Sequence, residues 1–138
     1  MKIRRLMREH PEELEGKQLV IKVQSQSDWE KEVMSEIVSR DATPTLSFET
    51  PEDISDILKN RTQEIIQSIK DNPPGSIREL SRNTGIGLRE VHEDLELLED
   101  NGILYFEREG NRKKPRIPYS GITYQILEKD REPQPETA

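Results

Sequence analysis

Cysteine is absent from the 138 residues, which excludes disulfides and thiolate metal sites and fits a reducing compartment. Histidine is nearly as scarce, with only His10 and His92, and neither stands in a spacing that a metal centre or a catalytic triad uses. No glycine-rich phosphate loop or nucleophile elbow occurs. Apolar runs stop at about four residues, far below the roughly 20 that span a bilayer. The basic amino-terminal segment has no apolar stretch or cleavage pattern behind it. The expectation is a soluble, cytoplasmic protein that does not associate with a membrane, is not an enzyme, and has no cofactor or metal. Aromatic residues make up 4% of the chain and hydrophobic residues 30%, against 36% charged. A core built from this composition is thin and consists mainly of Ile, Leu and Val.

What is present is charge, unevenly placed. The formal net charge of −7 argues, taken alone, against a polyanionic partner. Its distribution says more. Acid is spread over the helical segments, while base gathers at Lys2, Arg4, Arg5 and Arg8, and again at Arg108, Arg112, Lys113, Lys114 and Arg116.

The chain is organised around residues 76–126. Ser76 with Glu79 forms a capping-box pattern that opens a short helix with Ile77 and Leu80 inside. Asn83-Thr84-Gly85, with Gly87 close behind, breaks it. Leu88, Val91, Leu95 and Leu98 then recur at helical spacing until Asn101-Gly102 offers a left-handed stop. Ile103 to Phe106 reads as a strand, Gly110-Asn111 as a turn, and Arg116 to Ile126 as an antiparallel return. Helix, tight turn, helix, hairpin is the order of a winged helix-turn-helix.

The segments SFETPEDISDILKNRTQEII, SIRELSRNTGI and VHEDLELLEDNGIL and the closing hairpin, between Leu46 and Ile126, resemble the MarR-like winged-helix DNA-binding family common in haloarchaea. That resemblance implies an archaeal, DNA-binding transcription regulator, nucleoid-associated, with an acidic surface suited to a saline cytoplasm.

Upstream, residues 1–17 alternate acid and base without periodicity and read as a flexible arm. Leu19, Ile21 and Val23 alternate along Gln18 to Ser25, the mark of a half-buried strand. Ser27 with Glu30 caps a helix whose stripe is Trp29, Val33, Met34, Ile37 and Val38. Pro44 to Glu49 forms another strand, and Thr50-Pro51 caps the next helix. Ile54, Ile57 and Leu58, then Ile65, Ile66 and Ile69 past an interruption at Asn60-Arg61, build a scaffold that ends at Asn72-Pro73-Pro74-Gly75. The expected fold class is therefore α+β. Residues 18–50 form a strand-helix-strand extension used for dimerisation, 51–127 the winged helix-turn-helix, and 128–138 a disordered tail.

The expected function is sequence-dependent binding of double-stranded DNA, with that DNA and a second copy of the chain as the predicted partners. Arg108, Arg112, Lys113, Lys114 and Arg116 surround one hairpin tip, where each can approach a phosphate. At the start of the second helix, Gly87, Arg89 and His92 lie off the apolar stripe, and Arg89 has the geometry for a guanine edge. Arg78 and Arg82, with Arg61, are candidate phosphate clamps. Glu90 and Glu93 oppose contact with a phosphate backbone, and Glu93, Asp94 and Glu96 to Asp100 read as a solvated helix face. Leu19, Ile21, Trp29, Val33 and Ile37 are the expected dimer interface, although the tryptophan stripe could equally cover the scaffold helix within one chain. An alternative function from another class remains open, in which the acidic helix docks on a basic protein partner.

Overall fold

A computed structural model describes residues 3–23 and 43–126. The expected helix with Trp29, Val33 and Ile37, and the expected tail, lie outside the described residues. Among the described residues the fold is mixed, with five α-helices and two small sheets. None of these helices is long and apolar enough to cross a membrane.

The amino-terminal segment departs from the expected arm. Ile3–Glu9 is helix α1 and Pro11–Leu14 a 3-10 turn. Met7 and Leu14 are each 2% exposed, with Ile3 and Leu6 packed beside them. Ile3, Leu6 and Met7 stand at helical spacing, a short stripe hidden in the sequence by the surrounding charge. The helix rests on Gly102, where a Cβ would come within 3.1 Å of Ile3 and 3.3 Å of the Arg4 backbone. Gly102 also has φ +73°, so both its missing side chain and its left-handed backbone are needed there.

Strand β1, Gln18–Val23, is the middle of a three-stranded sheet, flanked by β2, Thr45–Phe48, and β5, Gly121–Ile126. Both pairings are parallel, with Val20 opposite Thr45 and Gln18 opposite Gly121. The parallel β1–β2 pair is compatible with the long connection through residues 24–44, since parallel strands cannot be joined by a tight turn. The chain between Arg116 and Ile126 corrects the sequence reading. It does not continue the antiparallel hairpin, but leaves it after Arg116 and crosses to β1. Pro118 lacks the N–H that a continuing ladder would use. Instead, Gly16 donates to the Pro118 carbonyl and Ser120 to that of Lys17, both at 2.9 Å. Strands β1 and β2 therefore share one sheet with β5.

Leu19 and Ile21 are completely buried on the inner side of β1. They belong to the core of their own chain and expose no surface for a partner, which removes them from the expected dimer interface.

The helices follow the sequence pattern except at Leu58 and Leu88, expected on the inner faces but 39% and 37% exposed, because each stands at a helix end where the stripe has turned away from the core. Helix α2, Pro51–Leu58, begins where the Thr50 amide donates to the Asp53 carboxylate at 3.2 Å. It breaks at Lys59, whose ψ is 145°, and α3, Asn60–Asp71, continues directly. Ile54, Ile57, Ile65, Ile66 and Ile69 form their inner faces. Helix α4, Ile77–Thr84, is capped by the Ser76 hydroxyl, which accepts from the Glu79 amide at 3.0 Å, while Gly85 ends it at φ +73°. The Glu79 carboxylate reaches the Gly75 amide, one residue earlier than in a standard capping box. Helix α5, Leu88–Asp100, buries Val91, Leu95 and Leu98.

Candidate nucleic-acid interface

Two chain segments of opposite charge follow one another. Helix α5 carries Arg89 against six carboxylates, Glu90, Glu93, Asp94, Glu96, Glu99 and Asp100. The hairpin of β3, Tyr105–Glu109, and β4, Arg112–Arg116, carries five cations against Glu107 and Glu109.

The hairpin register separates these charges by face. Tyr105 stands opposite Arg116, Glu107 opposite Lys114 and Glu109 opposite Arg112; the alternate pairs are Phe106 with Pro115 and Arg108 with Lys113. Successive strand residues point to opposite sides. One face is therefore interleaved acid and base. Arg116 lies 3.6 Å from Glu107, and Lys114 pairs with Glu109. Lys114 holds the Glu109 carboxyl below its ordinary range, chiefly through that hydrogen bond. Arg116 is half-buried and donates to the backbone carbonyls of Pro74 at 2.7 Å and Pro115 at 2.9 Å. It ties the hairpin to the α3–α4 connection, so its sequence-predicted role as a free phosphate contact is corrected to a structural one. Lys114 is likewise engaged.

On the other face, two cations stand directly across from one another. Arg108 and Lys113 are both exposed, and among the described residues neither pairs with an acid. The Lys113 ammonium sits 5.6 Å from the centre of the Phe106 ring, a cation–π contact that helps place it. Like charges directly opposite destabilise a strand pair, and an anion placed between them would reverse the sign of that interaction. The sequence shows the cluster of cations, but only the register shows which two face each other.

Helices α4 and α5 present a different picture. Arg78 and Arg82 are exposed at i,i+4 positions on α4, and His92 is exposed on α5. Gly87 immediately precedes α5, and a Cβ there would collide with the Glu90 carboxylate; that carboxylate lies over the amino-terminal end of α5, where a helix attracts negative charge. Arg89 is 88% exposed but sits 3.4 Å from Glu93. Arg61, expected as a phosphate clamp, instead makes a two-pronged contact with Asp94 at 2.9 and 2.8 Å. That hydrogen-bonded pair raises the Arg61 pKa. Asp94 is 2% exposed and is not part of a solvated face. Its carboxylate points inward from α5 and joins the helix to α3, a role that the surrounding run of acids conceals in sequence.

A cleft of about 290 Å³ lies between α1 and the base of the hairpin, walled by Met7, Leu104, Tyr105 and Phe106, with Arg8, Pro11 and Glu99 also lining it. Its volume falls at the lower end of those that small ligands occupy. Among the described residues no group of three or more His, Cys, Asp or Glu side chains is placed to hold a metal ion.

The family model HVO_A0114 matches residues 57–124, a span running from the end of α2 through α3, α4, α5 and the hairpin into β5. No curated protein and no solved structure matches the chain.

Proposed function

We propose that this chain is a winged helix-turn-helix protein of MarR-like type that binds double-stranded DNA as a homodimer, on the nucleoid in the cytoplasm, and regulates transcription. The observation that carries the proposal is the exposed, like-charged cross-strand pair Arg108 and Lys113, on a hairpin that directly follows two helices joined by a tight turn. A polyanion is the partner that relieves such a pair, and duplex DNA supplies phosphates at regular spacing. The homodimer rests on the apolar stripe of Trp29, Val33 and Ile37 in the sequence.

A mobility-shift titration over fragmented genomic DNA tests the reading. Binding is expected at low salt, weakening as salt rises, and it is expected to disappear in the charge-reversed Arg108→Glu/Lys113→Glu chain. No shift of any fragment, or a shift indifferent to charge reversal, rejects it. A second reading is favoured by the exposed carboxylates Glu93, Glu96, Glu99 and Asp100: α5 binds a basic protein. Recovery of such a partner through α5, with no nucleic acid retained, would select that alternative.

A further inference from the structure

We propose that α5 does not enter the major groove, and that DNA is held by its sugar–phosphate backbone on the Arg108/Lys113 face of the hairpin, with Glu93 acting as a built-in restraint on Arg89. This inference rests on the DNA-binding reading and concerns how the duplex is gripped. Four features of α5 support it. Its exposed surface carries Glu93, Glu96, Glu99 and Asp100, each repelled by phosphate. Arg89, its one cation able to read a base edge, is engaged by Glu93 at 3.4 Å. Arg61, which approaches α5 from α3, is 2.8 Å from Asp94 and 3.8 Å from Glu93. The Glu90 carboxylate covers the approach to the helix start at Gly87, where a phosphate would otherwise be attracted.

The Arg108/Lys113 face differs on every point. Among the described residues its two cations have no acidic partner, the ammonium is steadied over Phe106, and the carboxylates Glu107 and Glu109 alternate onto the opposite face. Contact through this face neutralises phosphates and carries no base code. Binding is therefore strongly salt-dependent and tolerant of sequence.

Fluorescence anisotropy with two unrelated labelled duplexes of about 20 base pairs, a length that spans two turns of DNA, tests this on the full chain. The two duplexes are expected to bind with affinities within about threefold of each other, well inside the discrimination a specific reader achieves. Arg108→Gln/Lys113→Gln should weaken both by about tenfold or more and flatten the log-log salt dependence by about one unit for each phosphate no longer neutralised. Arg89→Ala should change affinity by less than about twofold, and Glu93→Gln should tighten binding by about threefold by releasing Arg89 and removing a repelling charge. All four substituted positions are exposed, and a melting curve for each chain confirms that the fold is retained. If the duplexes bind but Arg89→Ala costs about tenfold, or Glu93→Gln binds no tighter, the inference is overturned while the DNA-binding reading stands. If neither the duplexes nor genomic fragments bind the unsubstituted chain, both fall together.

Discussion

Helix α5 and the hairpin that follows it handle charge in opposite ways. The helix is rich in acid, and three of its six carboxylates are engaged, Asp94 with Arg61, Glu93 with Arg89 and Glu90 over the helix start, while Glu96, Glu99 and Asp100 stand exposed. The hairpin is rich in base, and its register gathers the neutralised pairs on one side and leaves Arg108 and Lys113 facing each other on the other. Net charge alone would rank α5 as the more strongly charged surface. Among the described residues, side-chain pairing leaves cations without an acidic partner on the hairpin, whereas the cation of α5, Arg89, is paired with Glu93. A charge count is therefore a poor guide to a binding face until the register and the buried partners are known.

The largest loss is expected at Asp94. Asp94→Ala removes the partner of Arg61 and the tie between α3 and α5. A wholly buried pair costs about 3–5 kcal/mol to break, but Arg61 is 32% exposed and can recover water. The expected loss is about 1–3 kcal/mol, read as a lower midpoint in chemical denaturation with an unchanged slope. A loss below about 0.5 kcal/mol would mean that the pair behaves as an ordinary surface one.

Tyr119 ties the crossover after the hairpin to the exit of α5. Its hydroxyl donates to the Gly102 carbonyl at 2.9 Å, at the exit from α5, and the Lys70 ammonium donates to the Tyr119 backbone carbonyl. Tyr119→Phe should cost about 1 kcal/mol, the usual worth of one such bond. Burial raises the Tyr119 phenol well above its ordinary value of 10.0. The contribution of the protonated phenol is fully present below the unfolded-state value and is lost as pH rises toward the folded one. Denaturation followed above pH 10 should therefore show a shallower alkaline decline for Tyr119→Phe than for the native chain. Equal declines would place the alkaline sensitivity elsewhere, with Tyr105 and Tyr124, which burial also raises, as the remaining tyrosines.

The smallest effect belongs to the neutralised hairpin face. The Glu109 carboxyl titrates below its ordinary range because of Lys114. Its contribution is present above the unfolded pKa and lost as pH falls through the lower folded value. Both the shift and the stability it represents are small at an exposed site. An NMR titration of the Glu109 side-chain carbon should give a midpoint below that of a free glutamate, and Lys114→Gln should move it upward without altering the melting temperature. A midpoint unmoved by Lys114→Gln would remove the pairing from the account of this face.

Local signals carried most of the architecture. The caps at Thr50 and Ser76, the left-handed glycines 85 and 102, and the helical stripes of α2 to α5 all act within a few residues, so they are visible in one sequence. The features that the sequence concealed depend on distant partners. Asp94 lies in a run of acids, and only the fold turns it inward to Arg61. The stripe of Ile3, Leu6 and Met7 is too short to stand out among arginines and glutamates. The departure of β5 from the hairpin is set by β1, roughly a hundred residues earlier, and periodicity contains no record of which strand will pair with which. The same limit applies to the binding face: the cations were visible, but their cross-strand facing was not.

The parallel pairing of β1 with β5, Gln18 opposite Gly121, has a consequence for how the chain folds as it is made. Almost the whole helical unit is synthesised between the two strands. At about 5–20 residues per second, β1 waits roughly 5–20 s for its partner. Over that interval α2 to α5 can pack through local contacts, while the apolar side of β1, with Leu19, Ile21 and Val23, lacks its β5 neighbour. Contacts so far apart in sequence slow folding, and an unpaired apolar strand is open to non-native pairing. Closure of the sheet is therefore a late step, and early release of the chain before Gly121 would leave the helices formed over an unfinished, aggregation-prone edge.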